Sequence, residues 1–597
     1  MKSIFTLILS MALACLLQAQ DVIMIPGGQA NAGLLETTIN NDVDENGNRL
    51  NPNRVYMLAK DQIHFQLSAI NIDNPDGTLK IVGEPGGKKP VIVPIATNDV
   101  GVGVNLINGS LELRNIHYQA KNDIGGFTEG NESQWEIVGL NRKLHVEDCL
   151  MEFTNFQLFM ANGVTDGLVI EMRNNYFRDL FWDQQWWASR VFQAKVPIDS
   201  LIFENNTVTG SGMALLQQEA LCLYALINHN SFINNHAYVI LNNYYYEAYF
   251  TNNLFVNCQI KGEDYTVIQL EPDHIPTDIM GLDTINTSIL VQPEVLQDEN
   301  TLAAPYNDIG NYKIYVSNNL YYNQPELDPY YTGAYNSIFD APVSYLTWFG
   351  EGPHAVEVPT PWMNSRAQAL HADWANIVEE STILGVDPQL NTTPITPEVA
   401  NELAIWNRIL YEVPDETRTP DLSGYYFGDN DPTTIPGIET EDGDGIRKFS
   451  DLLEDFSYNA NLTSTLDGHS IGALHWTDEI DSYDPAASLD AILSGYAGAV
   501  STRDLSLVTR DGFTLARNYP NPFSAVTTIE YELERPAMVK LEVYNLMGEK
   551  VATLAEGSQP PGAYTVNFNG QGLAPGMYFY TLIAGNARLT QKMLLQK

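Results

Sequence analysis

The sequence predicts an all-β protein: a right-handed parallel β-helix, then a cap region and a small C-terminal β-sandwich. Three observations predict the β-helix. A short apolar pattern followed by an asparagine pair returns between residues 144 and 322, most clearly at 170–177, 201–208 and 248–255. Apolar residues alternate within each copy, which indicates strands. The spacing of the copies varies while their apolar pattern stays constant, as in a solenoid with loop insertions.

The repeat can be described relative to a corner, the second residue of each pair. Corners fall at Ile116, Cys149, Asn175, Asn206, Asn230, Asn253 and Asn319. Positions five before, three before and two after each corner are apolar or aromatic, and the position just before it is polar. Asparagine tolerates the left-handed conformation that a tight bend needs. Asparagines stacked one strand spacing apart can also form a hydrogen-bonded ladder.

Corner spacing indicates coils of three short strands. Six successive corners lie 23 to 33 residues apart, and the last follows after 66. The longer spacings predict loops that bulge from the coils, at residues 178–195 and 259–311. An antiparallel sandwich is the alternative, but its hairpins would favour Asn-Gly over the repeated Asn-Asn.

The composition restricts the partners. With 31 basic against 74 acidic residues the formal charge is −43, which repels nucleic acid and anionic lipid. The acidity fits solubility outside the cell, and binding of divalent cations is left open. A chain of 597 residues with 44% hydrophobic content predicts more than one domain.

Residues 1–19 read as a secretory signal peptide, with Lys2 ahead of an apolar run. The run is too short for a membrane anchor, so we expect no transmembrane segment in the mature chain. The remaining cysteines, Cys149, Cys222 and Cys258, form no disulfide framework and are predicted to be buried thiols.

We assign residues 20–325 to the β-helix, 326–484 to a cap and lid region, 485–512 to a linker rich in small residues, and 513–597 to a small β domain. The strands at 79–94, with a Gly-Glu-Pro-Gly-Gly turn, resemble the first coils of secreted pectate-lyase-like β-helix proteins. The runs 455–458 and 467–476 resemble the closing segment of exported bacterial β-helix proteins.

The tail has its own signature. A run from Asn518 to Phe523 precedes alternating strands punctuated by glycine, and the chain closes on Gln-Lys-Met-Leu-Leu-Gln-Lys. This tail resembles the C-terminal sorting domain of the type IX secretion system. The resemblance implies the secretion machinery as a partner, and then release or attachment at the cell surface.

Candidate binding residues are concentrated at 178–195. Trp182, Trp186 and Trp187 suit stacking on sugar rings, and Asp179 and Asp183 suit hydrogen bonds or a cation. The alternative is that the tryptophans pack a loop onto the solenoid.

Resemblance to polysaccharide lyases of this fold class implies a Lys or Arg base, often beside calcium. Arg178, Arg190 and Lys195 are the basic residues available for that role. Asp442, Asp444 and Asp451 resemble half of a calcium loop, with threonine in place of the first aspartate. No lyase motif matches residue by residue.

Two functions therefore stay open at this point. One is an exported or cell-surface protein that binds or cleaves acidic polysaccharides, as a lyase or hydrolase, with calcium as a possible cofactor. The other is a non-enzymatic surface or adhesive protein whose solenoid is a rigid spacer.

Overall fold

A computed structural model describes residues 21–95, 102–120, 133–154, 156–161, 167–180, 190–194, 196–211, 216–218, 222–235, 239–242, 245–258, 289–290, 313–328, 376–392, 455–458, 462–503, 508–510, 513–515, 518, 523, 525–533, 535–545, 550–573, 576–584 and 587–595. The predicted signal peptide lies outside these residues. Strands are numbered in chain order.

The coils of the solenoid build three parallel stacks. Sheet one contains β1 (Val22–Ile25), β2 (Val55–Leu58), β4 (Asn71–Gly83), β6 (Asn105–Arg114), β9 (Lys143–Glu147), β12 (Leu168–Arg173), β15 (Ile198–Glu204), β18 (Cys222–Asn228), β21 (Tyr245–Thr251), β24 (Lys313–Ser317) and β26 (Ile377–Glu380). Sheet two contains β3 (Ile63–Gln66), β5 (Val91–Pro94), β7 (His117–Gln119), β10 (Leu150–Glu152), β13 (Tyr176–Leu180), β16 (Thr207–Ser211), β19 (Ser231–Asn235), β22 (Leu254–Val256), β25 (Leu320–Tyr322) and β27 (Ile383–Leu384). Sheet three contains β8 (Trp135–Val138), β11 (Gln157–Ala161), β14 (Arg190–Ala194), β17 (Leu216–Gln218), β20 (Ile240–Asn242) and β23 (Ile289–Leu290). Sheets one and three join at β6, which pairs with both β8 and β9.

The register of the coils confirms the predicted β-helix. In sheet one the residues five before successive corners pair directly, as Leu144 with Ile170, and Ile170 with Leu201. In sheet two the residues two after the corners pair in the same way, as Phe177 with Val208. All the apolar template positions are at most 8% exposed, so the repeat in the sequence is the interior of the solenoid.

Aromatic side chains stack through this interior. Phe203 stacks on Phe232 with ring centroids 6.2 Å apart, and Phe232 stacks on Phe255 at 5.1 Å. Phe255 stacks in turn on Tyr321 at 4.5 Å, nearly parallel. Offset stacking of this kind adds to the stabilisation from burial alone.

The two residues of each pair have different parts in the corner. The first has a left-handed backbone, with φ between 52° and 58° at Asn115, Asp148, Asn174, Asn205, His229, Asn252 and Asn318. The second points inward and forms the ladder. Asn206 Nδ2 donates to Asn230 Oδ1 (3.1 Å), and Asn230 Nδ2 donates to Asn253 Oδ1 (3.0 Å).

Every amide hydrogen-bonding group of Asn230 has a partner. Its Oδ1 accepts from both the backbone N–H and Nδ2 of Asn206, and its Nδ2 also donates to the carbonyl of Phe203 (2.8 Å). Buried amides bonded in this way avoid the cost of unpaired polar groups. The ladder continues from Asn175 to Asn319.

A second, shorter ladder lies four residues after the corners and was missed by the sequence analysis. Asn234 and Asn257 both have left-handed φ. Asn257 Nδ2 donates to Asn234 Oδ1 (3.0 Å) and to Gln324 Oε1 (2.7 Å).

Helix α1 (Leu34–Asn40) packs against β3 in the first coil. Leu35 and Ile39 are buried, and the Glu36 carboxylate accepts from the backbone N–H groups of Leu67 (2.8 Å) and Ser68 (3.1 Å). Burial raises the pKa of Glu36. The sequence assigns this region to the β-helix and predicts no helix in it.

The outer face of sheet two forms a second core. Phe456, Leu462 and Ile471 pack on outward side chains of five of its strands, which are Leu150, Tyr176, Ile233, Leu254, Val256 and Leu320. Trp476 contacts the Tyr176 ring edge-on, at 5.7 Å between centroids. This core explains why the two runs that resemble a closing segment are rich in aromatic residues.

We call residues 462–483 the strap, because this segment lies along the corners of four coils. Ser464 Oγ donates to Asn252 Oδ1 (2.6 Å), and the backbone N–H of Thr465 donates to Asn318 Oδ1 (2.9 Å). The backbone N–H of Leu474 donates to Asn205 Oδ1. The sequence predicted a cap and lid over 326–484, and the described strap lies against the side of the coils.

A buried hydrogen-bonded pair of Asp467 and His229 fastens the middle of the strap. Asp467 Oδ2 lies 2.8 Å from His229 Nε2 and accepts from Ser488 Oγ at 2.5 Å. These hydrogen bonds hold the pKa of Asp467 well below its usual range, against the opposing effect of burial. Gly472 has φ of 99°, and a Cβ there would lie 2.9 Å from Ser231 Oγ, so the close approach needs glycine.

The segment predicted as a linker is helical over most of its length. Helix α2 (Pro485–Arg503) covers it, because its alanines favour a helix and Pro485 suits the first helical position. Small residues suit both a flexible linker and a helix, and here they form a helix.

The C-terminal part is the predicted β-sandwich. One antiparallel sheet has β28 (Val508–Arg510), β29 (Phe513–Leu515), β30 (Val526–Leu533) and β33 (Gly562–Asn569). The other has β32 (Lys550–Gln559), β31 (Ala537–Asn545), β34 (Gly576–Ala584) and β35 (Ala587–Leu595). Alternate residues such as Ile529 and Leu541 fill its core. The first strand begins at Val508, five residues before the predicted start of the domain.

Asn230→Ala tests the ladder. The substitution removes the acceptor of Asn206 and the donor to Phe203, so it leaves buried polar groups unpaired and should destabilise the solenoid by about 2 kcal/mol or more. Urea unfolding measures the change. Asn46→Ala, at an exposed turn, is the control and should change stability by less than about 0.5 kcal/mol. Equal stability of the two variants would contradict the ladder.

His475 makes the stability of the folded protein depend on pH. Its Nε2 lies 2.8 Å from the Thr207 hydroxyl, and burial lowers its pKa from 6.5 to about 4. Above pH 6.5 the imidazole is neutral in both states. As the pH falls towards 4 the unfolded state takes up the proton first, so stability is lost across this window, by about 1 to 3 kcal/mol.

Urea unfolding at pH 7 and pH 4 of the natural chain and of His475→Gln measures this effect. The variant lacks the titrating group and should lose less stability between the two pH values. Parallel losses in both chains would show that His475 does not contribute.

Candidate functional site

Arg178 is the first predicted site residue that the structure describes. It lies on β13, not in a loop insertion, and faces outward from sheet two in register with Glu152. Its Nε is 3.3 Å from Glu152 Oε1, and the other carboxylate oxygen is 2.7 Å from His117 Nε2. All three side chains are fully buried. Arg178 therefore does not reach solvent in this arrangement.

Arg190 is also buried and lies on β14, so the predicted insertion is limited to residues between β13 and β14. Its Nη1 donates to Gln193 Oε1 (2.7 Å) and Gln157 Oε1 (3.2 Å). The guanidinium lies 5.0 Å from the centre of the Phe156 ring. These contacts tie β14 to β11.

The other predicted site residues lie outside what the structure describes. This holds for Trp182, Asp183, Trp186, Trp187 and Lys195, for the calcium candidates Asp442, Asp444 and Asp451, and for the side chain of Asp179. Their roles, and calcium itself, stay predictions. Within the described ranges, His, Cys, Asp and Glu side chains form no group of three or more that would hold a metal ion.

The three cysteines are buried and unpaired with one another, as free thiols. Burial raises the pKa of Cys149 to about 12. Cys149 donates to the carbonyl of Glu147 (3.2 Å) at its corner. A buried protonated thiol is a poor nucleophile, so packing accounts for this residue.

A pocket opens where β25 and β27 end. We call it the end pocket, with a volume of about 340 Å³, and it is lined by Val256, Tyr322, Gln324, Pro325, Glu326, Asp387, Pro388, Gln389 and Leu390. β25 and β27 are neighbouring parallel strands, and Tyr321 pairs with Leu384. The chain leaving each strand therefore forms one wall.

Both walls of the end pocket are held in place. The Gln324 backbone N–H donates to Asn257 Oδ1 (2.8 Å), and its Oε1 accepts from Asn257 Nδ2 (2.7 Å). On the other wall Leu390 forms a β-bridge with Tyr458, and Pro388 is buried. Gln389 has a left-handed φ of 55°.

The electrostatics of the end pocket are acidic. The pKa of Tyr322 is raised, first by burial and then by the negative charges of Asp387 and Glu326. Asp328, which is exposed and does not line the pocket, adds to the same effect. No lining residue carries a positive charge.

The sequence analysis missed this pocket. Val256 lies in the repeats, but the other lining residues come from two segments, 322–326 and 387–390, that are more than 60 positions apart and follow the last corner at Asn319. A weak signal was present, since Pro-Glu and Asp-Pro each follow a strand end and place a carboxylate beside a proline.

Comparison with known families identifies the tail. Residues 517–596 match the family model of the secretion system C-terminal sorting domain, and they occupy the β-sandwich. The chain is a type IX secretion cargo. It is exported to the cell surface or the extracellular space, and the secretion machinery is a partner. No curated protein matches the chain.

No helix among the described residues of this cargo is long and apolar enough to cross a membrane.

Deleting residues 508–597 removes the whole sandwich and should leave the protein in the periplasm, because the outer-membrane step would lack its signal. Fractionation followed by immunoblotting measures the distribution, with the full chain expressed in parallel as the control. Normal delivery of the shortened chain would contradict recognition through the tail.

Proposed function

We propose that this exported β-helix protein binds polysaccharide outside the cell, and that the end pocket is the binding site. The end pocket supports the proposal because it combines an aromatic ring, Tyr322, with carboxylates and carboxamides in one concave site. Small-molecule sites have this character: mostly pre-formed, with few polar groups that fix orientation.

Its chemistry suits a sugar. The ring of Tyr322 offers a flat apolar face, and the carboxylates of Glu326 and Asp387 accept hydrogen bonds from hydroxyl groups. Gln389 provides an amide with both a donor and an acceptor. A sugar has the matching features, namely C–H faces and a rim of hydroxyls.

Cleavage is a finer form of the same proposal. The pectate-lyase-like resemblance of the first coils favours a lyase, but the burial of Arg178 and Arg190 weighs against either as its base, which leaves Lys195. A hydrolase would use paired carboxylates, and Glu326 and Asp387 face the same pocket from different segments. Trp182, Trp186 and Trp187 stay separate, sequence-based candidates for sugar stacking.

A non-enzymatic surface or adhesive protein is the second candidate. The continuous asparagine ladder and the strap along four coils favour it, because both stiffen the solenoid as a spacer. If the protein is only a spacer, no glycan should bind to it saturably.

A panel of neutral and acidic polysaccharides tests these functions. We expect the purified full chain to be retarded in affinity electrophoresis through gels that contain at least one of them. Ultraviolet absorbance of an unsaturated product, with and without calcium, and the appearance of reducing ends report cleavage. The absence of both retardation and product across the panel would overturn the proposal and favour the spacer.

A further inference from the structure

The chemistry of the end pocket also restricts which saccharides it accepts. We infer that it selects neutral sugar units and discriminates against uronate or sulfated ones. This inference rests on the proposed polysaccharide binding. It reverses the sequence-based expectation of an acidic glycan, which came from resemblance to a lyase fold class.

Charge is the first argument. Glu326 and Asp387 both line the pocket, and no lysine, arginine or histidine is among the lining residues. Burial raises the pKa of Tyr322, and the negative charges of Asp387 and Glu326 raise it further, so both carboxylates lie near this ring. A ligand carboxylate placed there would meet two like charges with no cation among the lining residues to offset them.

Hydrogen-bonding capacity is the second argument. An ionised carboxylate only accepts. Asp387 Oδ1 accepts from the backbone N–H of Gln389 (2.8 Å), and the remaining lone pairs of Asp387 and Glu326 can accept from a ligand. Sugar hydroxyls supply donors, and hydrogen bonds to an ionised partner are stronger than those between neutral groups. In a uronate the hydroxymethyl group, which can donate a hydrogen bond, is replaced by a carboxylate, which only accepts. Neither Glu326 nor Asp387 can donate a hydrogen bond to it.

Shape is the third argument. Tyr322 and Pro325 on one wall and Pro388 on the other give the pocket apolar surface, against which the C–H face of a neutral ring can pack. A volume near 340 Å³ lies at the small end of the range for ligand sites, which is about 300 to 1,000 Å³. The end pocket therefore suits a short stretch of saccharide more than a long chain lying along the coils.

A divalent cation is the competing occupant, because the lining contains two carboxylates. Calcium takes six to eight oxygen ligands. The pocket supplies side-chain oxygens from Glu326, Asp387 and Gln389, and its apolar residues, such as Pro325 and Pro388, add none. The test therefore includes a titration of the full chain with calcium alone.

The test compares two oligosaccharides that differ only at C6, a galactose tetramer and a galacturonate tetramer. Calorimetric titration of the full chain should show the galactose tetramer binding at least tenfold more tightly. Tighter or equal binding of the galacturonate tetramer would overturn the inference.

Variants connect the selectivity to the pocket. Asp387→Asn removes one negative charge and keeps the shape, so it should weaken binding of the neutral tetramer about tenfold, as expected for a lost charge-assisted hydrogen bond. It should also bring the affinities for the neutral and the acidic tetramer closer together. A purely structural role of Asp387 would leave their ratio unchanged. Glu45→Gln, an exposed carboxylate in the first coil that does not act on Tyr322, is the control and should change neither quantity.

The outcomes separate the inference from the proposed function. If polysaccharides from the panel bind but Asp387→Asn leaves affinity and ratio unchanged, the inference fails while polysaccharide binding stands. If no polysaccharide or tetramer binds, both fail. Calcium binding that Asp387→Asn abolishes, without binding of either tetramer, would identify a cation site and overturn the inference. Equal melting temperatures of the variants and the natural chain confirm that folding is unchanged.

Discussion

The ladder of buried asparagines at the corners is the interaction on which the solenoid depends. Each corner needs a backbone that turns sharply and also a side chain that fills the interior. The paired residues divide these tasks: Asn205 has the left-handed backbone, and Asn206 bonds to the coils on either side. Because each amide accepts from one neighbouring coil and donates to both, a shift of one coil by a single residue would leave several buried groups unpaired.

The second constraint comes from outside the solenoid. A parallel β-helix has outward-facing side chains on every strand, and in an isolated helix these would meet water. Here Phe456 and the strap cover part of sheet two, and the outward residues Tyr176 and Leu254 are as buried as the interior. The strap also bonds to the first residue of several corner pairs. Its hydrogen bonds thus connect coils that are already linked by the ladder inside.

Burial of outward-facing positions changes the interpretation of the basic residues that the sequence offers as catalytic candidates. Arg178 occupies an outward position on a strand, and in the sequence its charge suggested a surface loop with catalytic potential. In the fold it is fully buried beside Glu152, which provides the partner that a buried charge requires. An accessible polar site lies instead at the end of β25 and β27, where two strands end and the chain diverges.

How much the sequence determined depended on the range of the interaction. The strand alternation, the corner positions and the coil-to-coil register follow from a local repeat, so Leu144, Ile170 and Leu201 could be aligned without a structure. The sorting tail was also predictable, because its strands and glycines are contiguous. Helix α2 was missed because small residues suit both a linker and a helix.

Only the tertiary structure decided what lies outside the coils and where a ligand fits. Asp467 meets His229 across more than 200 residues, and Tyr322 meets Asp387 across more than 60. Neither pairing has a periodic signal, because each forms once, between segments that the repeat does not relate. The repeat determines the solenoid through many identical contacts, whereas the strap and the end pocket depend on single contacts that only folding brings together.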